Sequence, residues 1–442
     1  MLYDYLLLDH KSKEPLYAQL YGKIKAAVEK GHLAAGEKLP SIRHLSESLR
    51  VSRTTVETVY QQLCVEGYIQ SSPQRGYFVQ EAVHTSGHKP GVIPQITDEP
   101  GPKVRYNFGS DWVDSAHTDS KLWKKHVRQV LNRQEAIASY GEHQGETALR
   151  EALAAYSHSA RGVAASPGQI VIGAGTQPLL YLLCGLLKPE ERRVAMEAPG
   201  FQQAEQVFAD CSIPVRFLPQ DQDGVTIREL EASMAKVLLV SPSNRLQIIP
   251  MARRVQLLQW AERTGGILVE DDYNGELRYR ARPVPAMQGM ASERVVYLGS
   301  FSKLLLPSVR IGYMVLPEPL LKRYRKRAAR YNQTASKIEQ LALADYIREG
   351  RLEKQLRRLR KLYAVKSTRL TETLRQMFGP LIDLSLQETS LRLLVTVKNG
   401  MDSRELVQRA RTYGVRLQEA RNREGCVVLG FAGIPVEEMA PA

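Results

Sequence analysis

Lys303 lies in the run VVYLGSFSKLLLPSVRIGYMV, just after Ser300 and Ser302 and seven residues before Arg310. A lysine amine at a strand end, with two hydroxyls and a guanidinium close by in the chain, suits a phosphate-bearing aldehyde. The amine forms a Schiff base, while the hydroxyls and the guanidinium neutralise the phosphate. A surface lysine is the plainer reading of the same string. The run ILVEDDYNGE adds carboxylates at the end of a second strand. Pyridoxal phosphate needs a carboxylate against its ring nitrogen to keep the ring an electron sink. Asp271 is the candidate, with Tyr273 beside it to donate to the ring phenolate oxygen. A metal site at Glu270, Asp271 and Asp272 competes weakly, because neighbours on a strand point to opposite faces and no histidine accompanies them. In VIGAGTQPLLYLL, a small-residue turn opens a helix, so the backbone N–H groups of Gly175, Thr176 and Gln177 can cradle a phosphate. Phe201, in an APGF turn, can stack on a pyridine ring, although a lone aromatic is more often core.

These residues require strands that end together. QIVIGAG, RRVAMEAP, IPVRFLP, KVLLVSP, GILVEDD, RVVYLGSF and RIGYMVLP are short and rich in Val, Ile and Leu, and helical stretches separate them. Such runs predict a mostly parallel sheet buried on both faces, an α/β architecture. The last ~120 residues predict a smaller α+β lobe: a long helix, QETSLRLLVTV, a helix from Ser403, then CVVLGFA.

The chain has 442 residues and 43% hydrophobic content, enough for two or three domains and a large core. Cys64, Cys184, Cys211 and Cys426 are scattered without a C-x-x-C pair, which fits reduced thiols better than a disulfide framework or a zinc site; no metal is expected. No apolar run is long enough for a membrane span, and MLYDYLLLDHKSKEP lacks the form of a signal peptide. A cytoplasmic protein with no membrane partner is the expectation. The net charge of +14 makes a polyanionic partner worth testing. Residues 81–103 hold four prolines among glycines and polar residues, which predicts an extended linker between domains at 1–80 and 104–442.

Before that linker, Leu16, Leu20, Ile24 and Val28 recur at helical spacing. Two shorter helices follow, with Ser41 and Ser52 as N-caps and Arg50-Val51 as the turn between them. Tyr68-Ile69, a Pro73–Gly76 turn and Tyr77-Phe78-Val79 then predict a hairpin. These are the parts of a winged helix-turn-helix. Arg53, Thr54 and Thr55 would open the recognition helix and face base edges and phosphates, Lys38 and Arg43 would hold phosphates, and Arg75 with Gly76 would bring the wing tip to the backbone or minor groove. Ser41 and Ser52, at the two helix starts, belong to the same DNA-facing set. Any small three-helix domain shows similar periodicity. The string LPSIRHLSESLRVSRTTVETVYQQLCVEGYI…RGYFV, however, closely resembles the GntR superfamily of bacterial regulators.

Residues 1–80 hold ten Lys/Arg against eight Asp/Glu, whereas 321–370 hold sixteen against four. The charge therefore sits outside the reader head. The stretch 321–370 is either a solvated helix face or an auxiliary strip for DNA.

From residue 104 onward the chain resembles fold-type I aminotransferases. Joined to a GntR-like head by a Pro-rich linker, it resembles the MocR-type (GabR-like) transcriptional regulators, with YGEHQGETALREALAAY, EDDYNGE, FSKLLLPSVRIGY and REGRLEKQLRRLRKLY in that family's order. The resemblance implies pyridoxal 5'-phosphate as cofactor and Lys303 as its Schiff-base lysine. Asp271 and Tyr273 would be ring partners, and Gly175, Thr176, Gln177, Ser300, Ser302 and Arg310 would meet the phosphate. It also implies promoter DNA as partner and a head-to-tail homodimer.

Three positions depart from the family pattern. SPSNRLQIIP stands where a Pro-x-Gly turn is usual, although Asn244 can still bond the ring phenolate oxygen. Gln203 and Val428 stand where relatives that bind an amino-acid carboxylate place arginines. Charge-assisted hydrogen bonds are worth roughly 1.5–3 kcal/mol each, so ordinary amino acids should bind poorly here. Arg392, on a nearby strand, is a candidate relocated anion contact. The expected function is a regulator that senses pyridoxal phosphate itself, or an amine such as a D-amino acid or a peptide, without net turnover. A working aminotransferase with an appended head is the alternative.

Overall fold

The computed structural model describes residues 6–80, 104–109, 112–198, 200–242, 249–279, 284–386, 391–420 and 425–442. The linker predicted over 81–103, and Asn244 with its loop, lie outside the described residues. Two units separate, Met1–Glu99 and Pro100–Ala442.

In the first unit, helices α1 (Leu16–Glu29), α2 (Ile42–Leu49) and α3 (Arg53–Val65) precede a hairpin of β1 (Ile69–Ser72) and β2 (Gly76–Val79). The short helices start where serines satisfy their first free N–H groups. Ser41 Oγ accepts from His44 N at 3.2 Å, and Ser52 Oγ accepts from Thr55 N at 3.0 Å. Arg50 adopts left-handed backbone, φ +52°, which ends α2 and redirects the chain into α3. Leu20, Ile24, Val28, Leu45, Val56 and Leu63 form the core with Tyr60, whose hydroxyl donates to the Pro40 carbonyl at 2.9 Å. The hairpin register runs from Ile69↔Val79 to Ser72↔Gly76, and Lys38 bridges to Phe78, which ties the chain ahead of α2 to the wing.

The second unit is built on seven strands: β3 (Ile170–Gly173), β4 (Val194–Glu197), β5 (Val215–Leu218), β6 (Val237–Val240), β7 (Ile267–Asp271), β8 (Val295–Ser300) and β9 (Gly312–Val315). Their order is β3-β9-β8-β7-β6-β4-β5, and only β9 runs antiparallel to its neighbours. All seven runs read from the sequence are in this sheet. The apolar character of the inner strands follows from cover on both faces, while the edge strand β5 leaves Arg216 and Phe217 exposed. One face packs against a cluster containing Leu179, Leu183, Phe208 and Tyr324. The other packs against one containing Tyr156, Leu343, Tyr346 and Tyr363.

Helices α4 (Ser120–Leu131), α5 (Thr147–Arg161), α6 (Thr176–Leu186), α7 (Gln202–Asp210), α8 (Met251–Thr264), α9 (Glu318–Arg325), α10 (Lys337–Arg348) and α11 (Arg351–Phe378) surround the sheet. The smaller lobe is an antiparallel sheet of β10 (Ile382–Leu386), β11 (Arg392–Val397), β12 (Gln418–Glu419) and β13 (Cys426–Gly430), ordered β10-β11-β13-β12, with α12 (Ser403–Thr412) against it. Among the described residues no helix is long and apolar enough to cross a membrane, and no group of His, Cys, Asp or Glu can hold a metal.

Candidate cofactor site and DNA-reading head

In an open α/β sheet, ligands bind beyond the carboxyl ends of the strands. There β3 ends at Gly173 before Gly175, β6 before Ser241, β7 at Asp271 and β8 at Ser300 before Lys303. Cross-strand register sets the neighbours. Glu270 pairs with Val240, so Asp271 comes beside Ser241. Ser241 Oγ donates to Asp271 Oδ2 at 3.2 Å, and Ser241 N donates to Glu197 Oε1 at 2.9 Å. Asp271 is buried, and burial pushes its carboxyl up to about 7; the Ser241 bond pulls the other way, and the charges of Asp272 and Glu197 push up further. A carboxylate so placed is short of a cation, which a protonated pyridine nitrogen supplies.

The three consecutive acids separate by strand alternation. Glu270 accepts from Met287 N and Gln288 N, both at 3.0 Å. Asp272 takes a bidentate pair from Arg161, at 2.6 and 2.9 Å, and the Tyr297 hydroxyl at 2.7 Å. Each acid has its own partners, and the metal reading of the run lapses. Neither Ser241 nor Arg161 was singled out in the sequence. Arg161 lies 111 residues from its partner, and no local pattern announces such a pair.

The phosphate end is a cradle. Gly175 opens α6 with φ +93° and no side-chain cap; against expectation its own N–H donates to the Gly173 carbonyl at 2.8 Å, which leaves those of Thr176 and Gln177 at the helix start, Pro178 having none. A Cβ at Gly175 would stand 3.0 Å from Arg310 Nη2, so the guanidinium lies directly over the helix start. Arg310 itself takes left-handed backbone, φ +52°, and among the described residues has no acidic partner. Gly312 presses its backbone on the same turn: a Cβ there would be 3.1 Å from Gly175 Cα. Uncapped N–H groups, an unpaired guanidinium and the helix dipole fit a phosphate dianion. Ser300 Oγ donates to Ser302 Oγ at 3.3 Å, and Lys303 is buried in the turn that follows. Thr176 and Gln177 form the first turn of α6, and Tyr273 sits half-buried in the turn after β7. Phe201 is the half-buried N-cap of α7 and packs on the cluster that covers α6. The residues therefore fit the phosphate and the ring nitrogen of pyridoxal phosphate.

The effector candidates sit on three elements, two of them paired strands. Gln203 is exposed in the first turn of α7. Val428 is half-buried on β13, opposite Leu394, and Arg392 is half-buried at the start of β11, opposite Gly430.

In the head, Arg53 and Thr54 are exposed at the start of α3, while Thr55 Oγ1 lies 2.7 Å from Ser52 Oγ and belongs partly to the cap. Arg43 is exposed and pairs with Glu47 at 3.0 Å. Arg75 lies over the Phe78 ring at 5.7 Å, and a Cβ on Gly76, φ +106°, would touch the Lys38 stem at 3.4 Å, so both cations flank the wing tip.

Comparison with known proteins gives these two units names. Residues 107–440 match the family model for aminotransferase class I and II, and residues 16–79 match that for bacterial regulatory proteins of the gntR family. The HTH-type transcriptional regulator YdeL of Bacillus subtilis is 35% identical over 95% of this chain and 93% of its own length. The probable rhizopine catabolism regulatory protein MocR of Rhizobium meliloti is 30% identical over 98% and 93%. The chain belongs to the MocR-type transcriptional regulators. Like other members it joins a GntR helix-turn-helix to a fold-type I aminotransferase domain, and it is a DNA-binding regulator. A further relative is the pyridoxine biosynthesis regulator PdxR of Corynebacterium glutamicum, 32% identical over 80% of this chain and 78% of its own. The fold of the larger unit matches an archaeal alanine:glyoxylate aminotransferase, with TM-score 0.70, 21% identity and coverage of 77% of this chain and 89% of that one. Within the MocR type, the aminotransferase class implies dependence on pyridoxal phosphate.

Proposed function

We propose that this MocR-type regulator binds pyridoxal 5'-phosphate at the carboxyl ends of β3, β7 and β8 and uses it to sense a ligand, either the cofactor itself or an amine. The observation that carries the reading is the convergence of buried Lys303, buried Asp271 and the Arg310–Gly175 cradle at one sheet edge. When bound, the cofactor supplies an aldehyde for the lysine and a ring that withdraws electrons. The residues supply the rest. Arg310 and the α6 N–H groups hold the phosphate, with Ser300 and Ser302 beside it. Asp271, oriented by Ser241, holds the proton on the ring nitrogen, and Tyr273 and Asn244 donate to the ring oxygen. Phe201 covers the ring. PdxR, a relative named for pyridoxine biosynthesis, supports a vitamin B6 form as effector.

Sensing then works by linkage. A ligand that favours one arrangement of a head-to-tail homodimer changes its grip on DNA half-sites, and DNA changes ligand affinity by the same factor. Arg53 and Thr54 read bases or phosphates from α3, and Lys38, Arg43, Arg75 and Gly76 meet the backbone. Gln203 and Val428 leave an amino-acid carboxylate without the two guanidiniums that relatives supply, with Arg392 the remaining candidate, so no net transamination is expected. The test is spectroscopic. The purified protein with pyridoxal phosphate should show a visible absorption band that borohydride fixes to the chain and Lys303→Ala abolishes. A colourless protein, indifferent to the added aldehyde, sinks the reading. Sustained turnover with an amino donor and a keto acid would instead make it an enzyme.

A further inference from the structure

The basic segment of the sequence does not behave as one strip. In its first part, Arg323 is half-buried and makes a bidentate pair with Glu191, while Arg327 donates to the Gly185 carbonyl at 2.6 Å. These cations hold α9 to the fold. The long helix α11 is different: it carries nine Lys/Arg against two Glu. Arg360 and Lys366 turn inward, to the Glu276 carbonyl at 2.7 Å and to Asp114 at 2.6 Å. Lys354, Arg357, Arg358 and Lys361, with Arg369 further along, are exposed and have no acidic partner among the described residues. Lys354 to Arg369 spans about 22 Å of helix at the usual rise.

A second helix adds to this face. α4 carries Lys121, Lys124, Lys125 and Arg128, all exposed and likewise unpaired among the described residues, and no acid at all. Three contacts tie α4 and the chain before it to α11 and the end of α10. Gln355 Nε2 donates to the His117 carbonyl at 3.0 Å, Tyr346 Oη donates to Asp119 at 3.3 Å, and His126 Nε2 lies 3.7 Å from Glu349. The two helices that carry these cations are therefore linked through α10 within the second unit.

We propose that the exposed cations of α4 and of the first half of α11 form a second DNA-contacting surface that takes the phosphate backbone of duplex DNA. The proposal rests on the chain being a DNA-binding regulator and adds a surface outside its helix-turn-helix. Unpaired cations leave their charge available to phosphates, and each phosphate neutralised releases counterions. The head has a net charge of only +2 over residues 1–80, by ten against eight, so most of the chain's excess of +14 lies outside it. Duplex fits better than single strands because the aromatic residues of this face, Trp123 and Tyr363, are buried and offer no stacking platform. It fits better than a membrane because only Val365 adds an exposed large apolar side chain between Lys354 and Arg369.

The test uses the full chain and a 60-base-pair duplex of random sequence, with affinity followed by fluorescence anisotropy across a salt series. Lys354→Gln, Arg357→Gln, Arg358→Gln and Lys361→Gln together form one variant, and Lys124→Gln, Lys125→Gln and Arg128→Gln form another. Each should flatten the slope of log affinity against log salt by about 2–4, at roughly 0.9 per phosphate contact, and weaken binding at least about tenfold at low salt. An unchanged slope overturns the proposal. So does a loss confined to single-stranded RNA or to anionic vesicles, or a dimer that dissociates in the variants, which would make the face an interface between copies. Arg53→Ala with Thr55→Ala, run in parallel, tests the head: intact binding there would indict the recognition helix and leave this surface standing.

Discussion

Replacing Asp271 with asparagine in cofactor-stripped protein should stabilise the fold, and by an amount that depends on pH. Burial raises this carboxyl from its ordinary 3.8 to about 7, and the folded chain therefore keeps a proton that the unfolded chain releases. Stability is lost as pH rises from about 4 to about 7 and is level above that. At 1.36 kcal/mol per pKa unit the full effect approaches about 4 kcal/mol. An asparagine oxygen can still accept the Ser241 hydroxyl, which leaves little to offset the gain. For a unit of this size, an unfolding entropy of ~0.7 kcal/mol/K converts that to a melting shift of ~6 °C. Thermal unfolding at pH 4 and pH 8 checks it. The variant and the parent should melt together at pH 4, and the variant should melt higher at pH 8. Pyridoxal phosphate should then raise the melting temperature of the parent more than that of the variant. Equal shifts at both pH values, or a variant less stable at pH 8, would show that Asp271 is not a carboxylate short of a cation.

Gly175→Ala places a methyl 3.0 Å from Arg310 Nη2 at φ +93°, and pyridoxal phosphate affinity should fall about tenfold or more by titration of the visible band. Arg161→Met strands a buried Asp272, and chemical denaturation should report a loss of about 3–5 kcal/mol. Ser52→Ala removes the cap of the recognition helix, which should cost the head about 1 kcal/mol and weaken DNA binding, read by anisotropy on operator and random duplex alike.

The large sheet was legible because most of its strands are covered on both faces and written as apolar runs; the edge strand β5, with Arg216 exposed, is the least regular. The head was legible because Ser41 and Ser52 mark both short helices, with Arg50 supplying the turn between them. Gly175, Asp271 and Lys303 were legible as residues at or just beyond strand ends. Their supports were not: Ser241 reaches Asp271, and Arg161 reaches Asp272, only through cross-strand register and helix docking, which leave no trace at short range. Composition likewise cannot tell Arg323, bound to Glu191, from Arg357 on open surface. That division is made by packing.

The close approach of the Gly312 backbone to the turn at Gly175 bolts the anion anchor to the side of the sheet, where the edge strand β3 meets β9. A molecule held there cannot slide to signal its arrival, because helix and strand would have to move as one block. In the proposed sensor, a message would therefore have to start at the aldehyde end, with the anchor as its fixed pivot.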